Sequence, residues 1–291
     1  MGEQLRGPQG PVSLRCEYVK EALGIDNPKP KLSWMLRHGE ANQYQRAYQV
    51  IVADDEALVA REVGNIWDSG KVECSSSINV VYGGKALVSC QRYYWRVRWW
   101  DMADRASPYS DTAVFETGFL SQDEWVASWI ANTEDACPEA VTTKAGYNLR
   151  PGSLLRKEFS LDTRIQDARV YIGGLGYYEL RINGEKIGDR VLEPGQTDYR
   201  KTVLYSVYDV TSVLREGGNA MGVMLGNGRY CSFRWRDGEL FGYDEFPCLR
   251  AELHITYADG ATDKICTDTT WKVKRGPVGL NGIFYGEVYD A

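Results

Sequence analysis

Carboxylates are the residue type in this chain that could carry out chemistry, because histidine is nearly absent. Only His38 and His254 occur among the 291 residues. A histidine-rich metal centre is therefore nearly excluded, and a Ser/His/Asp triad has almost no candidate histidines. A pair of Asp or Glu side chains could instead supply the acid and base that hydrolyse a glycosidic bond. Candidates in the second half of the chain are Glu179, Asp189, Asp198, Asp209, Asp237, Glu239, Asp244 and Glu245.

Turns and helix caps account for most of these carboxylates without any chemistry. Asp189 follows a glycine, Asp237 precedes one, and Asp209 stands before a Val-Thr pair that opens a short helical turn. Asp is favoured at such positions because its side chain bonds to nearby backbone N–H groups. We therefore expect no catalytic pair within this chain.

Residues 234–246 differ in kind, because they combine carboxylates, aromatic rings and two arginines. Calcium takes hard oxygen ligands, and ligand pockets combine apolar rings with a few placed polar groups. The segment therefore suggests a sugar-binding loop with an adjacent calcium site, although its spacing does not match an EF-hand loop. The alternative is a solvated loop whose aromatic side chains pack on the fold. The candidate calcium ligands are Asp237, Glu239 and Asp244.

Two glycine-rich stretches, at 173–176 and 226–228, resemble phosphate-binding loops only superficially. A phosphate loop needs a strand before it, a helix after it and, in the Walker form, a terminal Lys-Ser/Thr pair. Neither stretch has this context. We expect tight turns or bulges in strands at both places.

The overall composition limits the classes of partner. Lys and Arg number 34 and Asp and Glu 40, which gives a net charge of −6, and clustered cations for a nucleic-acid backbone are missing. Hydrophobic residues make up 43% and charged residues 25%, as in globular proteins. Mean hydropathy is −0.41, and no apolar run approaches the roughly 18 residues of a membrane span. We expect a globular chain with no nucleic-acid partner and no membrane span.

The seven cysteines are odd in number and nowhere spaced as C-x-x-C. A zinc cage or a disulfide framework needs closer and more regular spacing. Most are therefore predicted to be buried reduced thiols, and the presence of one or two disulfides is an open alternative. The N-terminal residues lack the apolar core of a signal peptide, and a chain whose signal had been removed would look the same. A cytoplasmic and a periplasmic location both stay open.

Residues 1–120 read as short strands separated by turns. In the run at 92–100, Tyr93, Trp95, Val97 and Trp99 share one face at the strand period of two. A helical turn is predicted within 54–63. About seven strands with a buried Trp are typical of an immunoglobulin-like or fibronectin type III sandwich. Residues 121–152 are polar and loop-like, and we interpret them as an interdomain linker.

The strand period returns in residues 153–291. Tyr178, Leu180 and Ile182 share one face, and the strand ends at Asn183-Gly184. Asn-Gly between alternating runs is a strong hairpin signal, and a second hairpin is predicted to turn at Asp259-Gly260. We expect an all-β chain in which a jelly-roll β-sandwich follows the first sandwich.

Longer motifs carry a family resemblance. Residues 173–230, from GGLGYYELRING to GNGRY, and the closing YGEVYDA at 285–291 resemble the N-terminal β-sandwich domain of bacterial α-L-rhamnosidases. WDSG at 67–70, YYWRVRWWD at 93–101 and FETG at 115–118 are similar to the leading fibronectin-type module of these enzymes. The resemblance covers about residues 10–291.

This resemblance implies a glycoside hydrolase whose catalytic acid and base lie in an α/α barrel that follows these domains. The chain ends before such a barrel, so we expect no catalytic residue in it and no activity of its own. The parent protein would hydrolyse terminal α-L-rhamnosides by inversion. The chain would support its own C-terminal catalytic domain and bind a rhamnose-containing glycan.

Some family members use a related jelly-roll as a rhamnose-binding module with a bound calcium ion. Transferred to this sequence, that role implies stacking by Tyr199, Tyr230 or Trp235 and hydroxyl binding by Asn183, Asp198 and Asn227. Gln196 and Arg229 stand where family sequences often have Trp. The alternative is a stand-alone carbohydrate-binding or protein-interaction module without a link to hydrolysis.

Overall fold

The computed structural model describes residues 7–133, 141–142, 148–231, 234–236, 239–241, 246–283 and 286–290. Nearly all regular elements in these residues are β-strands, as predicted. The helical elements among them are α1 (Glu56–Ala60) and two 3₁₀ turns, Gln122–Glu124 and Thr211–Val213. The contacts divide the chain into two compact units, Met1–Trp125 and Val126–Ala291.

The first unit is built from two sheets. β1, β3 and β7 form one sheet in the order β1-β3-β7, and the other has the order β2-β9-β8-β4-β5, with β6 also paired to β4. The β2–β9 pair is parallel and the others are antiparallel. The strands are β1 (Pro8–Cys16), β2 (Ala22–Ile25), β3 (Lys31–His38), β4 (Ala47–Ala53), β5 (Trp67–Asp68), β6 (Val72–Glu73), β7 (Val80–Val81), β8 (Arg92–Trp100) and β9 (Ala113–Thr117).

The core of the first unit lies between these sheets, because each contributes one apolar face. Buried and half-buried residues alternate strictly along β8, and the buried set is the predicted one: Tyr93, Trp95, Val97 and Trp99. Leu32 and Trp34 of β3 pack into the same core. The predicted immunoglobulin-like sandwich is therefore confirmed. The predicted helical turn is α1, which Asp55 caps by accepting the Ala57 N–H at 2.7 Å.

The second unit has two five-stranded sheets, which we call the front sheet (β16-β15-β18-β13-β23) and the back sheet (β10-β21-β14-β17, with β22 paired to β21). Three two-stranded ladders, β11–β12, β19–β20 and β24–β25, accompany them. The strands are β10 (Ile130–Ala131), β11 (Val141–Thr142), β12 (Asn148–Leu149), β13 (Ser153–Leu161), β14 (Ile165–Leu175), β15 (Tyr177–Ile182), β16 (Glu185–Lys186), β17 (Tyr205–Asp209), β18 (Gly217–Gly226), β19 (Arg234–Arg236), β20 (Glu239–Phe241), β21 (Cys248–Tyr257), β22 (Thr262–Cys266), β23 (Lys272–Arg275), β24 (Val278–Gly282) and β25 (Gly286–Tyr289).

The core of the second unit lies between its front and back sheets. Leu155, Leu180 and Val223 face inward from the front sheet and meet Val170 and Leu253 of the back sheet. Because side chains alternate along a strand, the other face of the front sheet points away from this core. The all-β prediction, with a jelly-roll sandwich after an immunoglobulin-like one, is confirmed.

The predicted turns follow the expected backbone chemistry. Asn183 and Gly184 both have positive φ, at 53° and 87°, as a type I′ turn requires. The second hairpin joins β21 to β22 through Gly260, at φ 85°. The short helical turn predicted after Asp209 lies at Thr211–Val213 and ends there, because Leu214 is already extended.

The cysteine prediction needs a correction. Cys16 and Cys231 are buried, but Cys74, Cys90, Cys248 and Cys266 are only half-buried, since they lie at strand ends or in turns. Cys137 lies outside the described residues. Burial raises the pKa of the Cys16 thiol to about 12, which keeps it protonated. In the part of the chain that the structure describes, no helix has the length and apolar character of a membrane span.

Candidate functional site

Tyr199 and Tyr230, two of the predicted stacking residues, lie together in a small apolar cluster. Their rings meet edge to face with centroids 5.5 Å apart, and each residue is only 8% exposed. Cys231 completes the buried part of the cluster, and Leu175 and Val203 pack against it. The two rings therefore stabilise each other and present little area to a sugar.

Asn227, a predicted hydroxyl ligand, is fully buried. Its Nδ2 donates to the backbone carbonyls of Arg150 at 2.7 Å and Asn281 at 2.9 Å. Its backbone N–H donates to Oδ1 of Asn281 at 2.6 Å. The amide therefore joins three segments of the second unit, a role that satisfies its polar atoms.

Asn183 belongs to a separate hydrogen-bond network at the β15–β16 turn. Its Nδ2 donates to the Val213 carbonyl and to Oδ1 of Asn219, each at 2.9 Å, and its Oδ1 accepts the Ala220 N–H at 3.0 Å. The structure does not bring Asn183 and Asn227 into one hydrogen-bond network. Neither amide was recognisable from the sequence as a structural connection, because the partners are distant along the chain.

Asp198 lies in the loop before β17 and is partly exposed. Nε of Arg200 donates to its carboxylate at 3.1 Å and Nζ of Lys201 lies 3.6 Å away. The hydrogen bond from Arg200 is the main reason why the pKa of Asp198 is below its usual value. The carboxylate is therefore ionised near neutral pH and already paired with cations.

The predicted calcium loop is described only in part. Trp235 lies in β19, opposite Leu240 of β20, and Glu239 pairs with Arg236 at backbone level. Asp237 and Asp244 lie outside the described residues, as do the side chains of Trp235 and Glu239. Among the described residues, no group of three or more His, Cys, Asp or Glu is placed to hold a metal ion. The calcium site stays a prediction.

The outer face of the front sheet was not singled out from the sequence, yet it holds two hollows. β18 runs through the middle of this sheet, between β13 and β15. Of its outward residues, Ala220, Gly222 and Gly226 are small, and Met224 stands between the two glycines as a long, exposed side chain. The small residues therefore leave hollows between the longer side chains of both neighbouring strands, on either side of Met224. The flanking outward residues are Leu154, Arg156 and Glu158 on β13, and Tyr177, Glu179 and Arg181 on β15.

We call the first hollow, of about 790 Å³, the basic hollow. Arg156 and Arg181 line it from the two sides, and Gly222 lies between them in the sheet. Arg215 adds a third guanidinium from the turn before β18, and Glu158 is the acidic residue of the described lining. Cations thus outnumber acids on these walls.

We call the second hollow, of about 500 Å³, the apolar hollow. Its lining includes Tyr177 and Met224 of the sheet, Leu192 of the loop before β17, and Ile283 beside the β24–β25 hairpin. Leu192 is 68% exposed, and the adjacent Val191 is 74% exposed. Clustered exposed apolar side chains of this kind mark interaction surfaces.

Leu192 has a backbone conformation that leucine rarely adopts, and its side chain is exposed. Leu192 has φ of 58°, a region that bulky residues rarely occupy. The next residue, Glu193, fixes the segment: its carboxylate accepts hydrogen bonds from Ser206 and Tyr208, and its carbonyl accepts the Tyr178 N–H at 2.9 Å. The exposed leucine is therefore presented by a well-anchored loop.

Two family models match the chain, one in each unit. Residues 11–121 match the Rha78A-like N-terminal immunoglobulin domain. Residues 163–291 match the α-L-rhamnosidase N-terminal domain. Together they agree with the order of the two sandwiches described above.

Individual relatives point to the same family. An α-L-rhamnosidase of Formosa agariphila is 35% identical over 284 residues, which is 92% of this chain and 30% of that protein. The structure of an α-L-rhamnosidase from Dictyoglumus thermophilum has a TM-score of 0.87 at 44% identity, covering 96% of this chain and 31% of that one. For the enzyme of Aspergillus terreus the TM-score is 0.82 at 31% identity, with 96% and 31% coverage.

The length comparison defines which part is shared. This chain spans about 30% of the length of the curated relatives it matches, and both matching models describe N-terminal domains. The chain therefore carries the two N-terminal domains of α-L-rhamnosidases, the immunoglobulin domain followed by the N-terminal β-sandwich domain.

Proposed function

We propose that this chain is the non-catalytic N-terminal part of an enzyme that hydrolyses terminal α-L-rhamnosides by inversion, and that its apolar hollow binds the catalytic domain of the same polypeptide. The observation that carries the proposal is the exposed apolar surface around Leu192 on a chain that matches 30% of its relatives' length. An α/α barrel would be the occupant of that surface.

The position of the hollow supports this occupant. β24 and β25 are the last strands described, and residues of both line the hollow. A following domain would begin beside it, so that packing there costs little additional loop entropy. Tyr289 and Val288, which end β25, are 62% and 57% exposed.

The side chains of the fully buried carboxylates support a structural role for these units. Asp101 is paired with Arg105 at 2.7 Å, and Glu252 is paired with His254 at 2.8 Å. An inverting pair would instead face a common cleft, with room for a water molecule between the two carboxyl groups. We infer that the acid and base of the reaction belong to the catalytic domain.

Carbohydrate binding by the second unit is the other part of the proposal. Its residues are the predicted set: Trp235, Tyr199 and Tyr230 for stacking, Asn183, Asp198 and Asn227 for hydroxyl groups, and Asp237, Glu239 and Asp244 for calcium. Calorimetry with L-rhamnose, with and without calcium and with D-glucose as the control, tests it. Flat traces in both conditions would overturn this part alone.

Leu192→Asn in the full-length enzyme tests the docking surface. Asn tolerates positive φ better than Leu, so the substitution relieves the local backbone, and the separate N-terminal chain should keep its melting temperature. In the full-length enzyme we expect a lower melting temperature and several-fold slower hydrolysis of an aryl α-L-rhamnoside.

Ile78→Asn is the matched control, because Ile78 is 61% exposed and lies in the first unit. It should leave both properties of the full-length enzyme unchanged. Equal effects of the two substitutions would overturn the docking surface. Absence of aryl rhamnoside hydrolysis by the unsubstituted full-length protein would overturn the proposed activity.

A further inference from the structure

We propose that the basic hollow on the outer face of the front sheet binds an anionic glycan, whose carboxylate or sulfate groups pair with Arg156, Arg181 and Arg215. This inference rests on the proposed function for the choice of a carbohydrate as the occupant. The charge, the donors and the shape of the hollow carry the rest.

The charge of this face is opposite to that of the chain as a whole. Lys272 and Lys274 stand opposite Arg156 and Leu154 on β23, and Lys186 stands opposite Arg181 on β16. On the described part of the face and the hollow's lining, six basic side chains therefore accompany two acidic ones, Glu158 and Glu179. The whole chain carries −6. A local positive field on an acidic protein concentrates anionic ligands.

The three guanidinium groups keep donors available. Arg156 forms one ion pair, with Glu158 at 2.6 Å. Arg181 bonds to Glu179 at 2.9 Å and to the Gly184 carbonyl at 3.1 Å, and Arg215 bonds through Nε to the Gly218 carbonyl at 3.0 Å.

Each guanidinium has five N–H donors. Most of these donors are therefore without a partner among the residues that the structure describes. Arginine binds carboxylate and sulfate-like groups through two parallel hydrogen bonds. The walls of the hollow thus match the chemistry of an anionic group.

Gly222 leaves the floor of the hollow open, although the packing of the fold does not require a glycine at this position. It lies directly between Arg181 and Arg156 across the sheet, so these two Cα atoms are roughly 10 Å apart. A Cβ at Gly222 would meet only the Leu155 carbonyl, at 3.9 Å, which is ordinary contact. Glycine inside a strand destabilises the strand. A glycine that packing does not require, between two arginines, indicates space kept for a ligand.

The polar lining of the basic hollow favours a glycan over a protein partner. Phe159 adds an aromatic ring to the described lining, and Asn183 and Asn219 add amide groups. Protein partners anchor through apolar residues in pockets, whereas the described walls of the basic hollow are mainly polar.

Calorimetry with trigalacturonate as the carboxylate probe and sulfated maltotriose as the sulfate probe tests the inference. We expect saturable binding of at least one probe, weakened by raising the salt from 20 to 200 mM as screening requires, and no binding of neutral maltotriose. Arg156→Gln and Arg181→Gln should each weaken binding at least tenfold. Arg164→Gln, an exposed arginine of the same unit outside this face, should leave it unchanged.

The variant Gly222→Val separates a loss of binding from a loss of folding. Valine suits a strand better than glycine, and its Cβ makes only an ordinary contact at this position, so the melting temperature should stay the same or rise while binding is lost. Probe binding that survives Gly222→Val would overturn the site.

Two further results would overturn the inference. One is flat traces with both anionic probes; if L-rhamnose still binds, the proposed carbohydrate binding stands and only the basic hollow is rejected. The other is tighter binding of polyglutamate or of anionic phospholipid vesicles than of either probe, which would assign the face to a protein or a membrane instead.

Discussion

Oε2 of Glu252 lies 2.8 Å from Nε2 of His254, while Oε1 of the same carboxylate accepts the N–H groups of Val126 and Ala127 at 2.6 and 2.9 Å. Glu252 is fully buried, and a buried charge is tolerated only when its oxygens are satisfied in this way. The carboxylate therefore fixes the segment that begins at Val126 to β21. Arg250 adds a hydrogen bond from Nε to the Ala127 carbonyl at 2.8 Å.

Glu252→Gln should lower the free energy of unfolding by about 2–3 kcal/mol, because charge-assisted hydrogen bonds are replaced by weaker ones and a buried donor is added. Urea unfolding measures this change. Hydrogen exchange at Val126 and Ala127 should accelerate in parallel. Glu158→Gln on the exposed face is the control and should stay within about 0.5 kcal/mol of the original protein.

Lowering the pH should destabilise the second unit, because the carboxylate of Glu252 becomes protonated. Burial by itself would raise the pKa of Glu252, but hydrogen bonds from His254 and from the N–H groups of Ala127 and Val126 outweigh it, and the pKa is lowered. A lowered carboxyl pKa stabilises the fold above the unfolded value of about 4.3 and loses this contribution as the pH falls through the folded value.

We therefore expect the unfolding free energy to fall between pH 5 and pH 3, with a smaller slope in Glu252→Gln. Thermal unfolding at each pH measures both. Identical slopes of unfolding free energy against pH in the two proteins would contradict the assignment of this effect to Glu252.

The pKa of Asp101 in the first unit is also lowered. Burial would raise this pKa, but hydrogen bonds from Arg105, His38 and Ala103 lower it.

Asn227→Ala should destabilise the second unit rather than act on sugar binding alone. It removes the hydrogen bonds to Arg150 and Asn281 and leaves their half-buried carbonyl groups without this partner, which costs about 1–3 kcal/mol. Chemical unfolding tests this prediction, with the exposed Gln196→Ala as the control. A variant with unchanged stability and lost L-rhamnose binding would instead identify Asn227 as a ligand residue.

Gly228→Ala should cost clearly more stability than Gly184→Ala. Both glycines have positive φ, at 53° and 87°, so alanine is strained at either position by about 1–2 kcal/mol. At Gly228, however, a Cβ would lie 2.7 Å from the Tyr177 backbone nitrogen, whereas nothing lies within 4 Å at Gly184. Melting temperatures of the two variants compare the strain with and without a clash. Equal shifts would mean that the backbone around Gly228 yields.

The sequence predicted the sandwich faces because burial follows the two-residue period of a strand. Tyr93, Trp95, Val97 and Trp99 are buried as their alternation indicated, and Asn183-Gly184 forms the expected turn. These features depend on neighbouring residues, whose spacing alone sets which side meets the core. The family motifs were readable for the same reason, since they are continuous stretches of chain.

The functional environment of single residues was less predictable. Tyr199 and Tyr230 were predicted to stack on a sugar, yet their rings pack on each other. Asn227 was predicted to bind a sugar hydroxyl group, yet its amide joins three backbone segments. A residue type reports what a side chain can do, but its partners come from elements that are distant in sequence.

The sequence by itself thus determined the strand faces, the turns and the families of the two domains. The tertiary structure alone decided that Arg156 and Arg181 flank Gly222, and that Leu192 and Ile283 line the same hollow. The physical reason is register: β13 and β15 both pair with β18, and long-range pairing sets which outward residues become neighbours. Local periodicity gives the face of each residue but not its neighbour across the sheet.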